Sequence, residues 1–208
     1  MDLVAQLGGV DIQLLDQVLR GTIPTNARIL DAGCGRGRNL PWFLSQGHAV
    51  SALDSDPEAV LATRDLARSL GHPSSEDHFR TESIESTSFS PESFDFVICN
   101  AVLHFADDPD HFQSMVASLH RLLRPGGLCF TRLASTIGLD ADLRPATTSA
   151  AERWFLMPDG AERFLVDMDY LLETTKSLPA DLSDPIKTVN VQNRRCMTTW
   201  VWKKPAGP

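Results

Sequence analysis

Among its 208 residues the chain has one tyrosine, and its four cysteines, at 34, 99, 129 and 196, form no C-x-x-C pair. Three of those cysteines lie inside apolar runs, where a free thiol acts as a small buried hydrophobe. Neither a disulfide framework nor a zinc site is expected, and no metal is called for. Cys34 sits among glycines, where lining the turn is the commoner role. Basic charge is also scarce: 19 Lys and Arg stand against 27 Asp and Glu, a formal net charge of −8. A broad phosphate-backbone footprint needs clustered cations, so nucleic acid is not expected as a partner. The pairs Arg194-Arg195 and Lys203-Lys204 read as turn and terminus solvation. No apolar run approaches the ~20 residues of a membrane helix, and the N-terminus lacks a secretion-signal pattern. The expectation is a cytoplasmic protein, monomer or homodimer, acting on a small molecule away from membranes.

What is present is an alternation of strand-like and helix-like segments, with no internal repeat. Residues 11–20 space their apolar side chains as a helix does. A strand at Arg28–Ala32 leads to a short helix over 38–46, and a second strand runs from His48 to Asp54. Asp56 as N-cap and Pro57 at the first helical position open a helix that closes near Gly71. A weakly marked third strand surrounds Phe79. Phe94–Asn100 is a continuous apolar run, as in a strand buried on both faces. Asp108-Pro109 opens a helix whose Phe112, Met115, Val116, Leu119, Leu122 and Leu123 form one stripe, ended by Arg124-Pro-Gly-Gly127. Leu128–Leu133 is the fifth strand. The expected fold is α/β: a Rossmann-like doubly wound sheet, mainly parallel, with helices on both faces. Ile186–Val191 and Met197–Trp202 add a C-terminal antiparallel hairpin. Residues 1–208 form one domain, in which 135–152 read as a long loop, followed by a small hairpin around Pro158-Asp-Gly160. A helix over 168–177 follows, capped by Asp167. Loops this long are usually functional, so 135–166 is the candidate substrate cover.

The chemistry concentrates at strand ends. Gly33, Gly35 and Gly37 follow a strand and open a helix, letting a ligand approach backbone N–H groups at the positive end of the helix dipole. The spacing is G-x-G-x-G; a dinucleotide fingerprint would need glycine at 38, where Arg38 stands. Asp54, at the end of the second strand, is placed to accept hydrogen bonds from both hydroxyls of a ribose; the plainer reading is a turn aspartate. In an open doubly wound sheet, ligands bind outside the carboxyl ends of the strands at the switch point. That puts Asn100 to His104 beside the glycine turn, His104 being equally a base, a substrate contact or a packed loop histidine.

Taken together, Ile29–Leu40, Asp54, Ser93–Ile98 and Leu123–Gly127 resemble the ordered landmarks of class I S-adenosylmethionine-dependent methyltransferases. The resemblance implies S-adenosylmethionine as cofactor and S-adenosylhomocysteine as product. It implies that Asp31 and the three glycines border the methionine moiety and that Asp54 holds the ribose, with Asn39 and Ser55 beside them. Ser83 and Ile84 fall against the adenine, although the family usually has aspartate where this chain has Ser83; Glu82 is the alternative. Asn100 and Ala101 fall at the methyl end. Gly35–Asn39, and more loosely Thr188–Thr199, are similar to the tellurite-resistance type of small-molecule methyltransferase. Methyl transfer is an in-line displacement that runs mainly by positioning, so a base is needed only for some acceptors. His104 is the candidate base, and Arg132, Arg144 and Trp154 are candidate substrate contacts, each with a structural alternative. Two other functions fit parts of the pattern: a nicotinamide-dependent oxidoreductase, and a non-catalytic module that retains the cofactor pocket.

Overall fold

A computed structural model describes residues 4, 7, 9–73, 75, 77–139, 143–146, 152–158 and 160–207. The apolar runs become β1 (Arg28–Ala32), β2 (Ala49–Asp54), β3 (Phe79–Thr81), β4 (Phe94–Asn100) and β5 (Leu123–Ala134). The helices among them are α1 (Ile12–Leu19), α2 (Pro41–Ser45), α3 (Pro57–Ser69) and α4 (Pro109–Leu122). Then come β6 (Arg144–Pro145), β7 (Trp154–Leu156), β8 (Glu162–Phe164) and α5 (Met168–Ser177). The chain ends in β9 (Asp181–Leu182), β10 (Lys187–Val191) and β11 (Arg195–Lys203). The large sheet has the order β10-β11-β5-β4-β1-β2-β3, with β9 beside β11. Its five central strands are parallel; β11 runs against both neighbours, so the expected C-terminal hairpin is built into one edge.

Period-2 alternation sorts the strand residues between two cores. Leu30, Val97, Cys99, Cys129, Trp200 and Trp202 face α4 and α5, represented by Phe112, Val116, Leu119 and Leu171. Their neighbours Ile29, Phe96, Ile98, Phe130 and Val201 face α1, α2 and α3, through Leu14, Phe43, Val60 and Ala67. All seven residues of β4 are buried, which explains why its sequence does not alternate.

Local chemistry sets the helix ends. Asp56 and Asp108 accept hydrogen bonds from the backbone of Glu58 and His111, each with proline in the first turn. The second helix is shorter than the 38–46 expected: it begins at Pro41, its preceding Leu40 has no capping side chain, and it lasts five residues. Asp167 caps α5 by accepting from the Tyr170 N–H at 2.8 Å. The substitution Asp167→Ala should therefore lower stability by about 1 kcal/mol, read in chemical denaturation as a lower midpoint at unchanged slope.

The described residues within 135–166 hold more than a loop and a hairpin. β7 and β8 form the expected hairpin and β6 extends it into a three-stranded antiparallel sheet. A small third core of Ala134, Met157 and Leu165 fastens it to the main sheet. Residues 140–142, 147–151 and 159, including the tip of the Pro-Asp-Gly turn, lie outside the described residues.

Candidate functional site

β1 and β2 end beside each other, Ala32 opposite Leu53, and the chain leaves β1 through Gly33-Cys-Gly-Arg-Gly37. The N–H groups of Gly33 and Cys34 both donate to the Leu53 carbonyl, at 2.8 and 3.0 Å. Gly33 has φ +81°, and a Cβ there would lie 2.3 Å from a Val102 methyl. A side chain is thus excluded both by backbone conformation and by the β4 loop packed on the turn. Gly37, at φ +75°, is wedged against Thr63 and Leu66 of α3 in the same way. Asp54 secures the turn from below: its Oδ2 accepts from Gly35 N–H at 2.9 Å and its Oδ1 from Asp56 N–H at 3.0 Å.

Above the ends of β1, β2 and β4 opens a cleft of about 690 Å³. Gly33, Gly35, Asn39, Asp54, Ser55, Ser83, Ile84, Asn100 and Ala101, all candidates from the sequence, line it together. Gly37 supports the turn from behind, and Asp31 lies deeper, 1% exposed. Lining residues with no mark in the sequence as site residues include Glu85, Phe105, His111 and Met115. Phe105 is the clearest, a phenyl ring left 59% exposed on a 3₁₀ turn (Leu103–Phe105). Ala101 has φ +65°, a left-handed conformation uncommon for a residue with a Cβ, and turns the chain over the cleft.

Two buried side chains near this cleft lack partners. Neither oxygen of Asp31 accepts a hydrogen bond, nor do the amide nitrogen and oxygen of Asn100 make one. Buried polar groups are nearly always paired, so each points to a ligand that would complete it. Burial pushes the Asp31 carboxyl up to about 8, with Arg38 pulling it down and Asp54 adding to the rise. Burial likewise pushes the Cys34 and Cys99 thiols up, so neither is a nucleophile near neutral pH. A donor of positive charge would relieve Asp31, and an amino acid's ammonium carries both the charge and N–H donors. Asn100 can meet a carboxylate or amine beside it, and Ile84, Val102 and Met115 supply apolar surface for a flat ring.

Other candidates stand elsewhere. Glu82 lines the cleft, but its carboxylate is held by the hydroxyls of Thr87 (2.7 Å) and Ser88 (2.5 Å) and by Ser88 N–H. Arg132 forms a half-buried ion pair with Asp11, the N-cap of α1, whose N–H donates to Asn39 Oδ1 at 3.1 Å. Arg132 and Asn39 therefore tie the first helix to the rim of the cleft. Arg144 is exposed on β6, away from the cleft. The Trp154 indole N–H donates to the Ala106 carbonyl at 2.9 Å, joining the small sheet to the loop after β4. His104 is buried, and its Nδ1 accepts from Ala134 N–H at 3.2 Å. Burial and then the charge of Arg163 bring its pKa down to about 4. The neutral ring thus carries its proton on Nε2, an arrangement of a hydrogen-bond donor rather than of a base.

A second depression, also about 690 Å³, lies at the opposite ends of the strands among Arg28, His48, His72 and His78. It has no glycine turn, and the unpartnered Asp31 and Asn100 belong to the first cleft, as does the switch point between β1 and β4.

Residues 30–131 match the methyltransferase domain family. Among the relatives, the malonyl-[acyl-carrier protein] O-methyltransferase of Enterobacter lignolyticus is 34% identical over 110 residues, covering 52% of this chain and 40% of that protein. The tRNA 5-carboxymethoxyuridine methyltransferase of Escherichia coli is 28% identical over 127 residues, covering 61% and 48%. The chain belongs to the class I S-adenosylmethionine-dependent methyltransferase superfamily. It spans less than half the length of these two curated relatives. The 1,6-didemethyltoxoflavin-N1-methyltransferase of Burkholderia thailandensis, solved with bound 1,6-didemethyltoxoflavin and S-adenosylhomocysteine, superposes with TM-score 0.70 at 22% identity. That match covers 98% of this chain and 81% of that one. The family removes the nicotinamide reading, in keeping with Arg38 at the position where a dinucleotide fingerprint needs glycine.

Proposed function

We propose that the chain transfers a methyl group from S-adenosylmethionine to a small-molecule acceptor, and that the cleft at the glycine turn holds the cofactor. The observation that carries this reading is the two buried, unpartnered side chains Asp31 and Asn100, near the ends of β1 and β4 beside that turn. Asp31 receives the ammonium of the methionine moiety; Gly33 and Gly35 leave room for its backbone-like portion. Asp54 binds the ribose hydroxyls, with Ser55 beside it, and Ile84 flanks the adenine together with Ser83. Asn100 and Ala101 border the methyl-donor end. Bound S-adenosylmethionine supplies an activated methyl group on a sulfonium. The protein's own work is to hold the acceptor in line at ~3–3.5 Å and to exclude water, positioning that accounts for ~7–11 kcal/mol of barrier in such reactions. No proton-accepting residue is assigned, because His104 already uses its acceptor nitrogen.

The preference for a small molecule rests on the net charge of −8, which disfavours long polyanions. That charge does not exclude nucleic acid by itself, since a tRNA methyltransferase is among the relatives. Residues 135–166 are read as the cover over the acceptor within a single unit spanning 1–208. Among the described residues no helix is long and apolar enough to cross a membrane; a cytoplasmic site of action is part of the same reading. Isothermal titration with S-adenosylhomocysteine should give saturable one-to-one binding. Folded protein that binds none at millimolar ligand would sink the proposal. Turnover of S-adenosylmethionine with any acceptor from a small-molecule panel separates an enzyme from a binding module.

A further inference from the structure

The turn after β3 faces α4 across one side of the cofactor cleft. His111, Met115 and Ser118 fall at i, i+4 and i+7 along α4, so they share one face of that helix. At its buried end this face is tied to the turn, where the Ser118 hydroxyl donates to the Ile84 carbonyl at 2.7 Å. At the more exposed end His111 Nε2 comes within 3.6 Å of Glu85 Oε2. Met115 lies between the two ties, and with Ile84, Glu85 and His111 it lines the cleft. Two apolar side chains thus flank a slot whose outer end carries a carboxylate and an imidazole.

The carboxylates that line the cleft differ in what they already hold. Glu82 is engaged by Thr87 and Ser88, and each Asp54 oxygen accepts a backbone N–H. Among the described residues Glu85 accepts no hydrogen bond; His111 attracts it, at a distance too long to count as one. His111 is itself held from behind. Its Nδ1 accepts from Asp107 N–H at 3.0 Å, with the Asp107 carboxylate 3.1 Å away. Nε2 therefore bears a proton whether the ring is neutral or charged, and Glu85 is the carboxylate beside it. The accepting capacity of Glu85 is left open.

We propose that Glu85, positioned by His111, accepts the hydrogen bond of the adenine amino group and so sets the base specificity of the cofactor site. The inference rests on the methyltransferase reading, and it moves a contact: the resemblance expects an acidic side chain at 83, where this chain has serine. A serine hydroxyl both donates and accepts, so it takes an amino or an oxo group alike. An ionised carboxylate only accepts; it bonds an amino group and repels an oxo oxygen. The purine lies against Ile84 and Met115 with its amino edge toward Glu85.

The test is isothermal titration of the protein with S-adenosylhomocysteine and with S-inosylhomocysteine, the same molecule carrying an oxo group in place of the adenine amino group. The natural protein should bind the amino form at least about tenfold more tightly. Glu85 is exposed, so Glu85→Gln should leave the fold intact. Its amide offers a donor as well as an acceptor, and the preference should fall to about threefold or less. Ser83→Ala should keep the preference. His111→Leu should lower it, and His111→Gln, which restores an N–H toward Glu85, should recover it. A smaller natural preference, a larger one in Glu85→Gln, or its loss in Ser83→Ala would each overturn the assignment to Glu85. An unchanged preference in His111→Leu, or no recovery in His111→Gln, would overturn the positioning role of His111. If S-adenosylhomocysteine binds without that preference, the role of Glu85 alone fails. If S-adenosylhomocysteine does not bind, the methyltransferase reading fails and this inference with it.

Discussion

The substitution Asp31→Asn is expected to stabilise the cofactor-free protein at pH 8 while removing most of its affinity for S-adenosylhomocysteine. Both effects come from one fact: a fully buried carboxyl without a hydrogen-bond partner. Burial raises its pKa to about 8 in the folded chain, against about 3.9 when unfolded. Between those values the unfolded chain releases this proton and the folded chain keeps it. Stability therefore falls as pH rises through the window from about 4 to about 8, by up to about 1.4 kcal/mol per unit. Below the window both states are protonated and the penalty vanishes; above it the slope vanishes. Asparagine has the same shape without the titration, so its advantage should be absent near pH 4 and greatest at pH 8. A gain of at least about 2 kcal/mol, or roughly 5 °C for a chain of this length, is expected there. Thermal melts at pH 5 and pH 8 check it, and an equal shift at both would refute the buried titration. Ligand binding should run the other way. An ammonium beside Asp31 favours the ionised form, so binding at pH 7 should release close to one proton, measurable by calorimetry in buffers of different ionisation enthalpy. The neutral amide of the variant offers the ammonium no charge, and affinity should drop about 100- to 1000-fold.

How much of this was legible in the sequence depends on whether the signal is local. The glycine turn, Asp54 at a strand end, and the caps at Asp56, Asp108 and Asp167 are all set by chemistry within a few residues, and the structure keeps each at its expected place. Met115 is different. It belongs to an apolar stripe, and periodicity reports which face of α4 is covered but not that one end of that face reaches a cleft. Arg132 has no local signal at all: its partner Asp11 lies 121 residues away, and only the folded chain brings the first helix to the end of β5. Residues 135–166 carry turn chemistry enough for a hairpin. Which side that hairpin presents is decided by the packing of Met157 and Leu165 on Ala134, so Trp154 is drawn toward Ala106 and Arg163 toward His104.

The substitution Asp54→Ala should weaken S-adenosylhomocysteine binding by about 100-fold. Each Asp54 oxygen already accepts one backbone hydrogen bond, from Gly35 or from Asp56, and each retains a further lone pair for a ribose hydroxyl. Hydrogen bonds to a charged group contribute about 1.5–3 kcal/mol apiece, and two of them in a partly wet cleft reach the stated loss. Alanine also releases the Gly35 N–H, so loss of affinity by itself leaves two causes entangled, ribose and turn. An analogue of S-adenosylhomocysteine lacking the 2′-hydroxyl separates them. If Asp54 binds that hydroxyl, removing it should weaken binding to the natural protein but cost Asp54→Ala almost nothing further, because the interaction is already gone. Asp54→Asn should fall between the two, keeping an oxygen for Gly35 while giving up the charge. Equal loss from the missing hydroxyl in natural and Asp54→Ala protein would mean that Asp54 acts through the turn alone.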